Sequence, residues 1–193
     1  MNTNSNREAC HWANKSYWAF LFAWLFVAMS FVGCSQERWI DVTPNSAGFT
    51  VSMPGQPAEQ KQTVPSPSGA LRCVYYDFDQ REISTEYMVC FVTYPNMVMT
   101  NLSSERILSS GLQSMLSNPS VKFIKNEFGH FEKYPSKEFE FVNSTVALTT
   151  IGREILAGNR MYLIQVVTPN ARASDRNVQR FINSFKLADK SSN

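Results

Sequence analysis

The sequence predicts an α+β fold: one domain with an antiparallel β-sheet packed by two helices, preceded by an apolar N-terminal signal or anchor helix. Three observations carry that prediction. Runs rich in aromatic and β-branched residues recur along the body, as strands require. Two further segments place apolar residues at helical spacing. The order is strands, a helix, more strands and a last helix, which is that of an α+β sandwich rather than of alternating βαβ units. A chain of 193 residues has enough material for one core of ordinary size once an N-terminal segment is set aside.

Composition narrows the function classes. The chain is 44% apolar and 13% aromatic, which describes a globular body. Setting aside residues 1–33 removes Arg7, Lys15 and Glu8 and leaves the body close to neutral. No basic stripe is present to neutralise a row of phosphates, so nucleic acid is not an expected partner. No acidic run suggests a cation buffer.

The elements follow in chain order. Arg7 and Lys15 precede Ser16–Val32, SYWAFLFAWLFVAMSFV, in which every residue from Tyr17 to Met29 is apolar or aromatic. As a helix at about 1.5 Å per residue, the stretch from Tyr17 spans about 24 Å, short of the roughly 30 Å hydrocarbon core of a bilayer. A basic start, an apolar middle and small residues at the exit are the layout of a secretory signal peptide. The exit itself, FVGC at Phe31 to Cys34, resembles the lipobox of bacterial lipoproteins, with Phe31 where Leu is usual. That resemblance implies a diacylglyceryl group on the Cys34 thiol, cleavage between Gly33 and Cys34, and acylation of the new amino group. It places the body in the bacterial cell envelope, outside the cytoplasm, at the outer membrane or in the periplasm if the host is Gram-negative. Ser35 rather than Asp follows the cysteine, which in Gram-negative lipoproteins goes with transfer to the outer membrane. Each buried methylene contributes about 0.8 kcal/mol, so two or three acyl chains hold a folded domain firmly. The other reading is an uncleaved signal anchor with an incidental cysteine; both export the same body.

Residues 34–47 are then a tether with a first short strand, 48–187 one domain, and 188–193 a polar tail. GFTVSMP, Gly48–Pro54, alternates Phe49, Val51 and Met53 as a half-buried strand does. PGQPAEQKQTVPSPSG, with Pro54, Pro57, Pro65 and Pro67, predicts a long surface loop. Leu71–Phe78 and Tyr87–Tyr94 predict a hairpin joined by the polar stretch DQREISTE. Leu102–Ser117 predicts the first helix, with Ile107, Leu108, Leu112, Met115 and Leu116 on one stripe and Asn118-Pro119 ending it. Four strands follow at Val121–Phe128, Lys137–Val142, Val146–Leu156 and Arg160–Thr168, with Gly158-Asn159 at a tight turn. The second helix, Ser174–Asn183, starts from a Ser174 cap and turns Val178, Phe181 and Ile182 inward.

The pieces FTVSMPGQP, YPSKEFEF, GREILAGNRMYLIQVVTP and VQRFINSFKL together resemble exported bacterial domains of the PsbP-like fold, many of them uncharacterised lipoproteins. The likeness runs from about Gly48 to Leu187. Where many of those relatives have Gly-Arg after Tyr-Pro, this chain has Ser136 and Lys137. The resemblance implies an α/β sandwich with binding, assembly or accessory roles, and it brings no active site.

Chemistry-bearing residues are few. His130 is the one histidine of the body, so a multi-histidine metal site is not available within one chain, and no nucleophile elbow accompanies it. No GxGxxG or P-loop motif occurs, and no cofactor is expected. Asp77, Asp79 and Glu82 surround the hairpin turn without the spacing of a calcium loop, and read as a solvated turn. Lys133 and Lys137 read as exposed lysines of a polar loop, and Asn101 and Asn143 as coincidental glycosylation sequons. If the hairpin centres between Arg81 and Glu82, Cys73 faces Cys90, and export to an oxidising compartment favours a disulfide between them. The alternative is two buried thiols acting as small hydrophobes.

The leading functional expectation is a non-catalytic binding or assembly module of the envelope. It is held to the membrane by lipid on Cys34 and has a protein of the envelope as its partner. A carrier of a small apolar ligand and a thiol-disulfide redox protein using Cys73 and Cys90 are the alternatives.

Overall fold

The structure is a computed structural model that describes residues 38–66, 69–112 and 118–188. The expected signal segment and the processing and lipidation positions Gly33 and Cys34 lie outside the described residues, as do Met115 and Leu116. No helix among the described residues is long and apolar enough to cross a membrane.

In chain order, β1 (Ile40–Val42) and β2 (Phe49–Met53) precede β3 (Ala58–Ser66), β4 (Gly69–Gln80) and β5 (Thr85–Thr93). Two short helices follow, α1 (Asn96–Asn101) and α2 (Ser104–Ser110), then the meander β6 (Val121–Phe131), β7 (Tyr134–Asn143), β8 (Leu148–Ala157) and β9 (Arg160–Pro169). The described chain closes with α3 (Arg176–Ser184) and β10 (Lys186–Leu187). All strand pairs are antiparallel, in a seven-stranded sheet ordered β3-β4-β5-β9-β8-β7-β6 and a three-stranded sheet ordered β1-β2-β10.

The large sheet is covered on both faces. On one face, alternate residues of the central strands, Val74, Tyr76, Tyr87, Val89, Ile164 and Val166, meet α3 and the small sheet through Phe49, Val51, Met53, Phe181 and Ile182. The helix turns Val178, Phe181 and Ile182 inward as its spacing predicts. On the other face, Cys73, Cys90, Val92 and Leu156 meet Val98 of α1 and Ile107 and Leu108 of α2. Gly152 of β8 leaves room on this face for the Phe139 ring: a Cβ there would lie 2.5 Å from both that ring and the Ile164 carbonyl oxygen. The β8–β9 turn at Gly158-Asn159 has the expected form, with Gly158 at φ 63° and Ala157 opposite Arg160.

Four expectations are corrected. The Pro-rich stretch is not a loop: Ala58–Ser66 forms β3, pairing along β4 from Ala58 opposite Asp77 to Ser66 opposite Gly69. It is the sheet's edge, where prolines are tolerated because one side of the strand needs no ladder bonds. The single helix from Leu102 is broken instead. Leu102 is extended, and the Ser103 hydroxyl oxygen accepts a hydrogen bond from the Arg106 N–H at 3.3 Å, so α2 starts at Ser104 behind its own cap. The helix α1, before that break, brings the packing helices among the described residues to three rather than two.

The β4–β5 register also differs. A 3₁₀ turn at Arg81–Ile83 and Ser84 at φ 52° place the hairpin's centre one residue further along. Cys73 therefore stands opposite Val92, and Cys90 opposite Tyr75. The two cysteines are diagonal neighbours on one face, and both are free thiols in this structure.

Candidate interaction surface on the outer strand

The last strand of the large sheet, β6, carries the most exposed apolar side chains of any strand described. Ile124 is 60% exposed and Phe128 is 49% exposed. A β-bulge between Phe123 and Lys125 explains the first: Phe123 pairs with Phe141 and Lys125 with Glu140, so Ile124 is the extra residue. Phe123 still packs inward on Phe141 with centroids 5.2 Å apart. After the bulge the strand alternates again, which sets Asn126 and Phe128 on one face and Lys125, Glu127 and Phe131 on the other.

Each face of β6 joins a charge array. Behind Phe128 lies Lys137, its cross-strand partner, with Nζ 5.1 Å from the ring centroid. This lysine is buried, contrary to the expectation of an exposed loop lysine, whereas Lys133 is exposed in the β6–β7 turn. Lys137 in turn stands opposite Glu154 of β8, which is fully buried beneath the C-terminal end of α2. Neither Glu154 carboxylate oxygen has a hydrogen-bond partner among the described residues, and a Cβ on Gly111 would collide with Oε1. Burial pushes the Glu154 carboxyl up to about 8, while Lys137 pulls it the other way. Desolvation likewise raises the Tyr94 hydroxyl on this face.

On the opposite face, Glu127 faces Glu138 directly across the strands. That like-charge opposition is relieved by two cations: Lys125 Nζ lies 2.5 Å from Glu138 Oε2 and 3.7 Å from Glu127, and Arg153 Nη2 lies 2.6 Å from Glu138 Oε1. The hydrogen bond from Lys125 and the Arg153 guanidinium hold the Glu138 carboxyl below its ordinary range, and Glu138 raises Lys125. With Gln179, Ile182 and Asn183 of α3 these residues line a cleft of about 140 Å³. A second cleft, of about 290 Å³ and lined in part by Asp41, Gln56, Glu59 and Tyr76, opens beside β1 and β3.

The other residues singled out from the sequence are dispersed. His130 is exposed on β6 opposite Pro135. Asp77 accepts a hydrogen bond from Gln60 Nε2 at 3.0 Å, Asp79 pairs with Arg81, and Glu82 is exposed in the turn. Among the described residues no cluster of three or more metal-capable side chains occurs. Asn101 ends α1 and Asn143 ends β7. Cys73 and Cys90 are both buried, and desolvation, reinforced by Cys73, pushes the Cys90 thiol up to about 12. A thiol so disfavoured as thiolate is a poor nucleophile. Sequence reasoning passed over Ile124 and Glu154 and took Lys137 for an exposed lysine. One signal was available: KNEFGH is a mostly polar run with Lys125 and Glu127 inside a strand, and charged side chains mark outer strands.

No protein-family model matches the chain, and no curated protein matches it. Among solved structures, the solution structure of cyanobacterial PsbP (CyanoP) from Synechocystis sp. PCC 6803 has a TM-score of 0.53 at 12% identity, covering 80% of this chain and 95% of that one. The crystal structure of a protein of unknown function from Pseudomonas aeruginosa, described as a putative regulator, has a TM-score of 0.34 at 9% identity, covering 69% of this chain and 85% of that one. The first likeness shows that the body has the PsbP-like fold.

Proposed function

We propose that the chain is an exported lipoprotein, cut between Gly33 and Cys34 and held at the envelope membrane by acyl chains on Cys34, whose PsbP-like body binds and helps assemble other envelope proteins without catalysing a reaction. The observation that carries the binding role is the outer strand β6, which presents Ile124, Phe128, Lys125 and Glu127 outward at one end of the large sheet. Exposed apolar residues rimmed by charge are the composition of a protein-binding surface.

The anchor is tested on the full chain expressed in a bacterial host. Intact-mass analysis should find residues 1–33 absent and an added mass of two or three acyl chains. Cys34→Ser should abolish that mass and leave the signal uncut. A wild-type chain that keeps residues 1–33 and carries no acyl mass would overturn the lipoprotein reading. For the binding role, Phe128→Asp should reduce recovery of envelope proteins captured from native membranes by wild type; equal recovery would remove β6 as the surface.

A further inference from the structure

We propose that β6 is completed by β6 of a second copy of this chain, the two strands pairing antiparallel about a two-fold axis at Asn126 to join two seven-stranded sheets into one. The inference rests on β6 as the binding surface and not on lipid at Cys34, so a chain found unacylated leaves it standing. It names the partner that the proposed function leaves open.

The argument starts from the strand's position. As the end of the sheet order, β6 bonds β7 on one side, and its other side has no strand beside it among the described residues. Such an edge is a template for another strand unless something blocks it. A two-fold axis perpendicular to the sheet keeps each face continuous and pairs residues symmetrically about the central one. With Asn126 at the centre, Lys125 of each copy faces Glu127 of the other.

The pairing respects the faces of the strand, since Lys125 and Glu127 share one face. Its outward cation and anion therefore meet with opposite signs. Opposite charges facing across strands stabilise a pair and like charges destabilise it.

Neighbouring registers fail on the same residues. Centring on residue 125 sets Lys125 against Lys125, and centring on 127 sets Glu127 against Glu127. Centring on Phe128 stacks the two rings but leaves Glu127 opposite Gly129 and Lys125 opposite Phe131, so neither charge finds its counter-charge. The self-complementary register is thus selected by repulsion on both sides as well as by attraction. The bulge between Phe123 and Lys125 falls just outside the match from Lys125 to Glu127, at both of its ends. There it splays the strands and limits the pairing to a short, specific contact instead of an open-ended edge.

The test uses full-length protein in detergent micelles, followed by sedimentation velocity over a concentration series, with circular dichroism to verify folding. Wild type should form a dimer. Glu127→Lys should weaken association about tenfold or more, because two attractive pairs become repulsive. Lys125→Glu should do the same by the opposite sign. Mixing the two variants should restore a dimer, since each Lys then meets a Glu across the interface. Amide hydrogen exchange in β6 should slow with concentration in wild type and not in Glu127→Lys, a readout that holds even if Lys125→Glu loosens the strand through Glu138.

A wild-type body that stays monomeric overturns the proposal. So does a dimer that Glu127→Lys leaves intact, because association through the apolar N-terminal segment is blind to that change. Failure of the mixed variants to reassociate while both remain folded overturns it as well.

Discussion

At the scale of single residues, Glu154 is the side chain with the largest energetic consequence. An acid whose folded value near 8 lies above its ordinary 4.5 makes folding take up a proton. Stability is then greatest below about pH 4.5, declines as the pH rises towards 8, and levels off above, for a total on the order of 5 kcal/mol. Glu154→Gln removes the titration. It is expected to raise the melting temperature at pH 8.5 by several degrees and to change it little at pH 5, in thermal melts followed by circular dichroism. An equal shift at both pH values would mean that packing, not ionisation, sets the cost. Glu138 works in the opposite sense: its contribution is present above the ordinary carboxyl range and fades as acid protonates it. Neither role was legible from the sequence. Glu154 sits in IGREILA beside Arg153, where an ion pair on a solvated strand is the natural reading, and only the register sends Arg153 to Glu138 and leaves Glu154 under α2.

At the scale of elements, local signals succeeded where the period was clean and failed where two rules competed. The alternation in β2 and the Gly158-Asn159 turn could be read directly, and so could the inward face of α3, because burial and backbone preference agree there. Ala58–Ser66 misled because its prolines and polar side chains describe a solvated segment, and an edge strand with exposed faces is one. Ser103 was hidden near the start of the helix expected from Leu102, yet its hydroxyl caps α2. Ser103→Ala should therefore cost about 1 kcal/mol in chemical denaturation. Ser109→Ala, within the helix and outside the cap, should cost less; equal losses would show that the cap contributes nothing. The hairpin register was within reach, because the polar stretch Asp79–Glu86 is itself symmetric about the centre the structure adopts, with Asp79 opposite Glu86.

At the scale of the whole molecule, the PsbP-like sandwich was legible in outline because strand and helix periods, and their order, are properties of the chain alone. The division into two sheets was not. It depends on Ile40–Val42 and Lys186–Leu187, two strands too short to show a period, both adding to β2 on opposite sides. The outer place of the strand predicted at Val121–Phe128 was not legible for a related reason: exposure depends on which strand ends the sheet, and sequence order puts β6 in the middle of the chain while topology puts it last.

The first and last strands described thus clasp the same middle one, Ile40 opposite Met53 and Lys186 opposite Thr50. Removing Lys186–Leu187 should accelerate hydrogen exchange not only near the cut but in Asp41 and Val42, about 145 residues upstream, as β2 loses half of its support. Tension arriving from the N-terminal side would meet this seam first, so the molecule's mechanical fuse is built from both ends of its body. A reporter fused after the C-terminal strand would sit within a few residues' reach of that fuse and would register its opening.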